Sequence, residues 1–268
     1  MKITILVENT KIPDSDVIAE EGFCAYIEAD GISILFDTGL SGIFIKNAQK
    51  LGLKLRPDYL ILSHGHRDHT GGLTEIIKKP FDPHPVCIGH PDLFLPKIKG
   101  TEEFGSPVSK ETISSVLKLR LSEKPVWISD NFVFLGEIPR CHPHEPVEGG
   151  RKRIKNGIPE TDTLPDDSAL VYIAKDGLVI ISGCAHSGIC NITDYATEIT
   201  GIKKISAIIG GLHLYGANQQ KIDETIRFLK EKEISELYIC HCTGPDAIRS
   251  FTGSLPVRPC GCGSVILL

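Results

Sequence analysis

The order of hydrophobic and polar residues divides the chain into two similar halves around an irregular middle. In the first half, apolar runs predict strands at residues 2–8 and 58–66, and a hairpin over 23–39 that turns at Asp30 and Gly31. Apolar residues at helical spacing over 41–52 and 71–79 predict helices between these strands. The first half therefore alternates strands and helices.

The last third of the chain resumes this alternation. Residues 168–183 predict a second hairpin, with its turn near Asp176 and Gly177. Further strands are predicted at 204–214, 235–244 and 263–268, and helices at 188–199, 219–232 and 245–253. Two such halves predict two mixed sheets packed together with helices outside, a four-layer α/β arrangement. A single doubly wound sheet is the alternative.

The middle of the chain is polar and rich in proline and glycine. We expect residues 81–110 and 139–167 to be loop or lid insertions within one domain that spans residues 1–268. A short strand at 85–90 and a hairpin at 126–138 are the regular elements predicted here.

Composition excludes several classes of function. The chain has 268 residues, 41% of them hydrophobic, and a formal net charge of −5 without a long basic block. A nucleic-acid or membrane-surface partner therefore gains no electrostatic support. No apolar run approaches the roughly 20 residues of a membrane helix, and the N-terminal run has no cleavage signature. We expect a cytoplasmic protein with a small-molecule substrate, and a homo-oligomer is compatible with the sequence.

The nine cysteines are an odd number in a chain expected to be cytosolic, which argues against disulfides. They are core residues, metal ligands or reactive thiols. Cys240 and Cys242, like Cys260 and Cys262, are separated by one residue, a shorter gap than structural zinc or iron–sulfur sites show. A separate metal cluster at these pairs is therefore not expected.

The stretch "LSHGHRDHTGG" places four metal-capable side chains, His64, His66, Asp68 and His69, just after a buried strand. Imidazole and carboxylate suit zinc, manganese or iron(II). His64 and His66 alternate along extended backbone and can face one side, while Asp68 and His69 can reach a second metal roughly 3.5–4 Å away. A dry core would not satisfy so many polar groups. The stretch therefore predicts a two-metal site.

This His-x-His-x-Asp-His pattern after an apolar strand, with Asp37-Thr38-Gly39 upstream, resembles the metallo-β-lactamase superfamily. The segments "GLVIISGCAHSGICNI", "IIGGLHLYG" and "LYICHCTG" are similar to one branch of it, named after dihydropterin ribofuranosylaminobenzene phosphate synthase. The resemblance covers nearly the whole chain. It implies a four-layer αββα fold in which two mixed sheets are sandwiched between helices.

The resemblance also implies further metal ligands from later segments. Where the superfamily usually has Gly-Asp, this chain has Gly183-Cys184, followed by His186, and His241 matches the final ligand histidine. His186 and His241 are therefore interpreted as ligands. Cys184 is either a bridging thiolate or a small buried residue. His213 ends an apolar strand and is a ligand, a substrate contact or a core histidine.

Three carboxylates sit near these positions in the family pattern. The resemblance implies that Asp37 orients the ligand histidines without binding metal, its alternative role being a turn cap. Asp166 and Asp167 stand where a ligand histidine is usual. They are either turn residues or carboxylates at the edge of the site, and we favour turn residues.

Residues for substrate binding are expected in the polar segment 139–167. His144 lies in the "CHPH" group, which either belongs to a lid that contacts substrate or has no role in the site. The stretch "GGRKRIK" holds Arg151, Lys152 and Arg153. These cations either form a solvated loop or bind a phosphate or carboxylate of the substrate.

The leading hypothesis is a metal-dependent hydrolase or group-transfer enzyme that acts on a small anionic substrate of phosphorylated or pterin type. It would use two divalent ions, zinc before manganese or iron, to activate the nucleophile. Asp68 would be both a ligand and the catalytic proton acceptor. The alternatives are a di-iron redox protein and a non-catalytic metal-binding protein with a degenerate site.

Overall fold

The computed structural model describes residues 1–146 and 150–268 of the chain. They form two compact units. The described residues of the first unit are 1–122, 150–166 and 261–268, and those of the second are 123–146 and 167–260. Among the helices of these residues, none is long and apolar enough to cross a membrane.

The elements are numbered in chain order. The strands are β1 (Lys2–Val7), β2 (Cys24–Ala29), β3 (Ile32–Phe36), β4 (Tyr59–Ile61), β5 (Val86–Gly89), β6 (Lys97–Lys99), β7 (Glu102–Glu103), β8 (Lys118–Leu121), β9 (Val126–Trp127), β10 (Phe132–Phe134), β11 (Lys152–Lys155), β12 (Ile158–Thr161), β13 (Ala169–Ala174), β14 (Gly177–Ser182), β15 (Ile205–Gly210), β16 (Glu236–Ile239) and β17 (Val265–Leu267). The α-helices are α1 (Ile43–Lys50), α2 (Arg67–Thr70), α3 (Leu73–Lys78), α4 (Lys110–Ser114), α5 (Ile189–Thr200), α6 (Gln219–Glu231) and α7 (Pro245–Thr252). Two 3₁₀ turns cover Pro91–Phe94 and His241–Thr243.

The first unit is built on a seven-stranded mixed sheet in the order β17-β1-β2-β3-β4-β5-β8. The pairs from β17 to β3 are antiparallel, and β3, β4, β5 and β8 are parallel to one another. Leu35, Leu60 and Cys87, one from each of three neighbouring strands, lie together in the core of this unit. Because β3 and β4 are parallel neighbours, their carboxyl ends lie at the same edge of the sheet.

A four-stranded sheet in the order β12-β11-β6-β7 also belongs to the first unit. It lies in segments predicted to be irregular loops, so that prediction is wrong for these strands. The physical reason is local: Asn156 and Gly157 both have positive φ, 53° and 78°, and join β11 to β12 in a tight hairpin. The residues around this Asn-Gly pair are largely charged, so they lack the apolar alternation that indicates a hairpin.

The second unit is built on a six-stranded mixed sheet in the order β16-β15-β14-β13-β10-β9. β13 and β14 form the predicted antiparallel hairpin, and β14, β15 and β16 are parallel. Ile180, Ile208 and Leu237 from these three strands are fully buried in the core of this unit, together with apolar residues of the helices α5, α6 and α7. The prediction of two mixed sheets is therefore confirmed. The carboxyl ends of three parallel strands also meet at one edge here.

Candidate metal centre

The histidine cluster, defined as His64, His66, Asp68 and His69, begins three residues after β4 in the first unit. The three histidines are buried, with exposed fractions of 0%, 6% and 0%. The ring centroid of His64 lies 4.5 Å from that of His66 and 4.2 Å from that of His69. His64 Nε2 is 3.0 Å from His66 Nδ1. The structure thus brings the predicted imidazoles side by side.

Glycine is required where this loop folds back on the surrounding backbone. A Cβ atom at Gly65 would lie 2.0 Å from the carbonyl oxygen of Leu93, and one at Gly71 would lie 1.9 Å from that of Leu40. Any side chain at either position would therefore displace the backbone that holds the imidazoles.

Asp37 fixes the orientation of one imidazole in the cluster. It follows β3, and its carboxylate accepts hydrogen bonds from the Ser63 amide and hydroxyl, each at 2.7 Å. The same carboxylate lies 2.7 Å from Nδ1 of His69, whose Nε2 lies 3.5 Å from Asp68. The carboxylate favours a proton on Nδ1, so the Nε2 lone pair is the one that can bind a metal. The expected contact of Asp37 with a histidine of the cluster is present.

Burial and neighbouring charges shift the pKa values of the three imidazoles in different directions. Burial holds the pKa of His64 well below its usual value, and the adjacent imidazoles lower it further. Burial likewise lowers the pKa of His66, and it outweighs the opposing effect of Asp68; Lys97 and Arg151 act in the same direction as burial. For His69, burial is outweighed by Asp68 and Asp37, which raise its pKa. His64 and His66 are thus neutral, the form that binds metal.

A buried lysine supports the loop of the histidine cluster, and no pattern in the sequence predicts it. Lys97 is 1% exposed, and its Nζ lies 3.0 Å from Asp162 and 2.8 Å from Asp166. The second carboxylate oxygen of Asp166 accepts a hydrogen bond from the Gly65 amide at 2.8 Å. Asp166 is therefore more than a turn residue, because it connects the loop to a buried ion pair.

The cysteine–histidine cluster, defined as Cys184, His186, His213, His241 and Cys242, lies in the second unit. Its residues follow the carboxyl ends of β14, β15 and β16. The rings of His186 and His213 lie 4.1 Å apart, and Cys242 Sγ lies 3.4 Å from the carbonyl oxygen of Cys184. Cys242 is the member that sequence reasoning missed. The one-residue gap between Cys240 and Cys242 does not signal a ligand, because metal motifs within one segment usually have longer gaps.

Backbone and side-chain contacts hold this second cluster in place. Ala185, His213 and His241 all have φ near +50°, a conformation that costs a non-glycine residue energy. The Arg140 guanidinium donates to the carbonyl oxygen of His186 at 2.9 Å. Asp167 accepts hydrogen bonds from the amide and hydroxyl of Ser187 and is buried, so it acts as more than a turn residue.

The ionisation of Cys242 differs from that of an ordinary buried thiol. Burial acts to raise its pKa, but the hydrogen bond with Cys184 and the nearby imidazoles of His241 and His213 hold it well below its usual value. A thiolate is the form that binds metal. The histidine cluster offers neutral imidazole and carboxylate, and the cysteine–histidine cluster offers thiolate and imidazole. Each donor set by itself fits a divalent metal ion of the zinc type.

The four residues predicted to bind substrate have different environments. Arg153 forms ion pairs with Asp92 and Glu160, and Lys152 is exposed in β11. The Arg151 guanidinium lies 5.5 Å over the Phe104 ring, which packs 5.0 Å from the ring of His66. Of the three cations, Arg151 is thus connected to the histidine cluster through an aromatic ring.

His144 has a different setting, in the second unit. Its Nε2 lies 3.4 Å from Cys190 Sγ, and its Nδ1 lies 3.8 Å from Glu224. Together with His142 it lines a surface cavity of about 540 Å³ beside α6. Its substrate role stays a prediction.

Comparison with known proteins identifies the class of this chain. The sequence model of the metallo-beta-lactamase superfamily matches residues 18–241. The chain therefore belongs to the metallo-β-lactamase superfamily, and the predicted membership is confirmed.

Two relatives from one organism are similar to this chain over nearly its whole length. The chain is 33% identical to 7,8-dihydropterin-6-methyl-4-(beta-D-ribofuranosyl)-aminobenzene-5'-phosphate synthase of Methanocaldococcus jannaschii, over 94% of this chain and 90% of the relative. It is 34% identical to an uncharacterized protein of the same organism, over 92% of each chain.

Solved structures confirm the predicted fold. The crystal structure of Tm1679, a metal-dependent hydrolase of the beta-lactamase superfamily, matches with a TM-score of 0.88 and 28% identity, covering 100% of this chain and 99% of that one. Zinc-bound PqqB from Methylobacterium extorquens matches in fold, with a TM-score of 0.56 and 13% identity, covering 100% of both chains.

Replacing the buried lysine should destabilise the protein. Lys97→Met leaves Asp162 and Asp166 buried without their cation, and we expect the free energy of unfolding to fall by about 3–5 kcal/mol. Urea denaturation followed by circular dichroism measures it. Lys99→Met, at the exposed end of the same strand, is the control and should change stability by less than about 0.5 kcal/mol. Equal effects of the two substitutions would contradict the role assigned to Lys97.

Removing the charge of Asp37 should weaken metal binding. Asp37→Asn keeps the shape of the side chain but loses the carboxylate that orients His69, so affinity for zinc should fall about 10- to 100-fold. Competition with a chromophoric chelator measures it. In metal-free protein the pKa of His69 should also fall, because a charge that favours its protonated form is gone.

A matched control exists on the surface of the same unit. Asp58 is exposed and likewise accepts hydrogen bonds from a serine amide and hydroxyl, those of Ser33, both at 2.8 Å. Asp58→Asn should leave zinc affinity unchanged. If it weakened binding as much as Asp37→Asn, the loss would be a general effect of stability.

Proposed function

We propose that this protein is a metal-dependent hydrolase or group-transfer enzyme that acts on a small anionic substrate. One observation carries the proposal: three buried imidazoles lie side by side with a carboxylate at the end of β4, in a chain of the metallo-β-lactamase superfamily. Imidazole and carboxylate are the ligands that zinc-type ions bind in proteins. Metal binding would account for their concentration at this strand end.

Each cluster has an assigned part. In the first unit, His64, His66, Asp68 and His69 would hold divalent metal. In the second unit, Cys184, His186, His213 and His241 would also be metal ligands, and the protein would bind two zinc ions in all. A bound divalent ion lowers the pKa of water toward about 7 and polarises the bond under attack. Asp68, whose side chain is 23% exposed, is the partly solvated carboxylate of the histidine cluster and would accept the proton of the nucleophile.

The proposed substrate carries a phosphate or carboxylate group. Arg151 supports this, since its guanidinium stacks on Phe104 and lowers the pKa of His66 through space, which places positive charge beside the histidine cluster. Planar guanidinium groups bind phosphate and carboxylate in a bidentate manner. The relative named as a dihydropterin ribofuranosylaminobenzene phosphate synthase supports a phosphorylated or pterin-type molecule.

The metal content of histidine variants tests the proposal. In protein purified without added metal, we expect about two zinc ions per wild-type chain, and loss of metal with loss of activity in His64→Ala and His66→Ala. Elemental analysis measures the metal. The activity panel holds phosphodiesters, lactones, thioesters and pterin pyrophosphates. His84→Ala, an exposed histidine of the same unit, is the control and should retain both.

Other results of this experiment would select a different function. Coloured protein that contains iron and lacks hydrolase and transferase activity would favour a di-iron redox protein. One firmly bound metal without turnover of any substrate in the panel would favour a non-catalytic metal-binding protein. Unchanged metal content in His64→Ala and His66→Ala would contradict metal binding by the histidine cluster altogether.

The role of Arg151 gives a separate prediction. Arg151→Ala removes a charge-assisted contact worth about 1.5–3 kcal/mol, so KM for an anionic substrate should rise about 10- to 100-fold with little change in kcat. Steady-state kinetics measure it. Lys152→Ala, the next cation in the hairpin and an exposed one, should leave KM within about twofold. An equal rise in KM for an uncharged substrate would show that Arg151 does not recognise the anion.

A further inference from the structure

We propose that Cys184, His213 and Cys242 together form a thiolate-rich binding site for one zinc-type metal ion, which makes Cys242 a metal ligand. The inference rests on the metal-binding part of the proposed function and does not depend on the reaction. It also accounts for the cysteine that stands where the superfamily usually has an aspartate.

The topology of the second unit brings one ligand from each of three strand ends. β14, β15 and β16 are parallel neighbours, with Ser182 paired to Gly210 and Gly210 paired to Ile239. Cys184 is two residues beyond the end of β14, and His213 and Cys242 are each three residues beyond β15 and β16. One ligand atom from each of Cys184, His213 and Cys242 lies within 4.8 Å of the others. Ions of this type bind sulfur and nitrogen at about 2.0–2.3 Å, so ligand atoms at this separation can surround one ion.

The backbone around these residues leaves room for the thiol of Cys242. A Cβ atom at Gly211 would lie 2.5 Å from Cys242 Sγ and 2.7 Å from the carbonyl oxygen of Gly183. Glycine at position 211 therefore lets the thiol approach the chain next to Cys184. His213, two residues later, adopts φ = 49°, a strained conformation of the kind found at ligand sites.

The surroundings of the two thiols differ from those of the core cysteines. Cys24 and Cys87 lie within strands and belong to an apolar cluster, as small buried residues do. Cys184 and Cys242 instead follow the ends of β14 and β16, where a ligand nitrogen of His213 lies within 4.8 Å of both thiols. Two thiolates and one imidazole favour zinc or cadmium over manganese, which prefers oxygen ligands.

Cobalt substitution of the full-length protein tests the site. A cobalt(II) ion bound by thiolates absorbs in the near ultraviolet through charge transfer from sulfur. We expect this absorption in the wild type, a fall of about twofold in Cys184→Ser and in Cys242→Ser, and its loss in the double variant, because intensity follows the number of thiolate ligands. Cys240→Ser, which alters the neighbouring buried cysteine of the same segment, is the matched control and should keep the full absorption.

Two further measurements keep the test decisive if a cysteine variant folds poorly. Gly211→Ala keeps every ligand but crowds the Cys242 thiol, and should also lower the absorption. In the wild type, zinc should slow alkylation of Cys184 and Cys242 at least tenfold without affecting Cys141, which is exposed; peptide mass spectrometry locates the labels. Full absorption in Cys242→Ser, or alkylation of Cys242 that zinc does not slow, would overturn the inference. A disulfide between the two thiols in protein kept under reductant would overturn it as well.

The outcome separates this inference from the proposed function. Thiolate absorption without turnover of any substrate would contradict the proposed reaction and leave the metal site standing. Turnover by a protein whose cobalt form lacks thiolate absorption would contradict the metal site and leave the reaction standing.

Discussion

Parallel strand pairing is the constraint on which both clusters depend. Parallel neighbours end at the same sheet edge, so residues just beyond their ends meet although they are far apart in sequence. In the first unit, β3 and β4 bring Asp37 to Ser63 and, through the loop, to His69. In the second, β14, β15 and β16 bring the ends that carry Cys184, His213 and Cys242 to one edge. Because the strands are buried, a slip of one residue would reverse every side chain, so their register is fixed.

Holding polar groups at these sheet edges reduces stability, as a buried ion pair and several strained backbone angles show. Lys97 is a buried cation between two carboxylates, an arrangement that contributes little net stability compared with apolar packing. The ion pair instead fixes the position of the histidine loop, because Asp166 also accepts a hydrogen bond from the Gly65 amide within that loop. Asp37, Ala185, His213 and His241 all have positive φ, so backbone strain recurs at the strand ends of both clusters.

The sequence predicted what depends on local pattern. Buried strands such as β4 appear in the sequence as short apolar runs, and the histidine loop is a continuous motif. The two mixed sheets and the cluster of His64, His66 and His69 could therefore be predicted. The contact between Lys97 and Asp166 could not be predicted, since it joins residues 69 positions apart that carry no periodic signal. The hairpin at Asn156 and Gly157 had a local signal, which its charged surroundings masked.

Cys184 is a single departure from the family pattern at a position that usually carries a metal ligand. Taken alone, Gly183-Cys184 in place of Gly-Asp suggests a degenerate site, because one ligand is lost. In the folded unit the change is accompanied by Cys242 beside it and by Gly211, whose missing side chain leaves space for the second thiol. In the proposed site, a pair of soft sulfur ligands takes the place of a hard oxygen ligand. This exchange would change the preferred metal and keep the site.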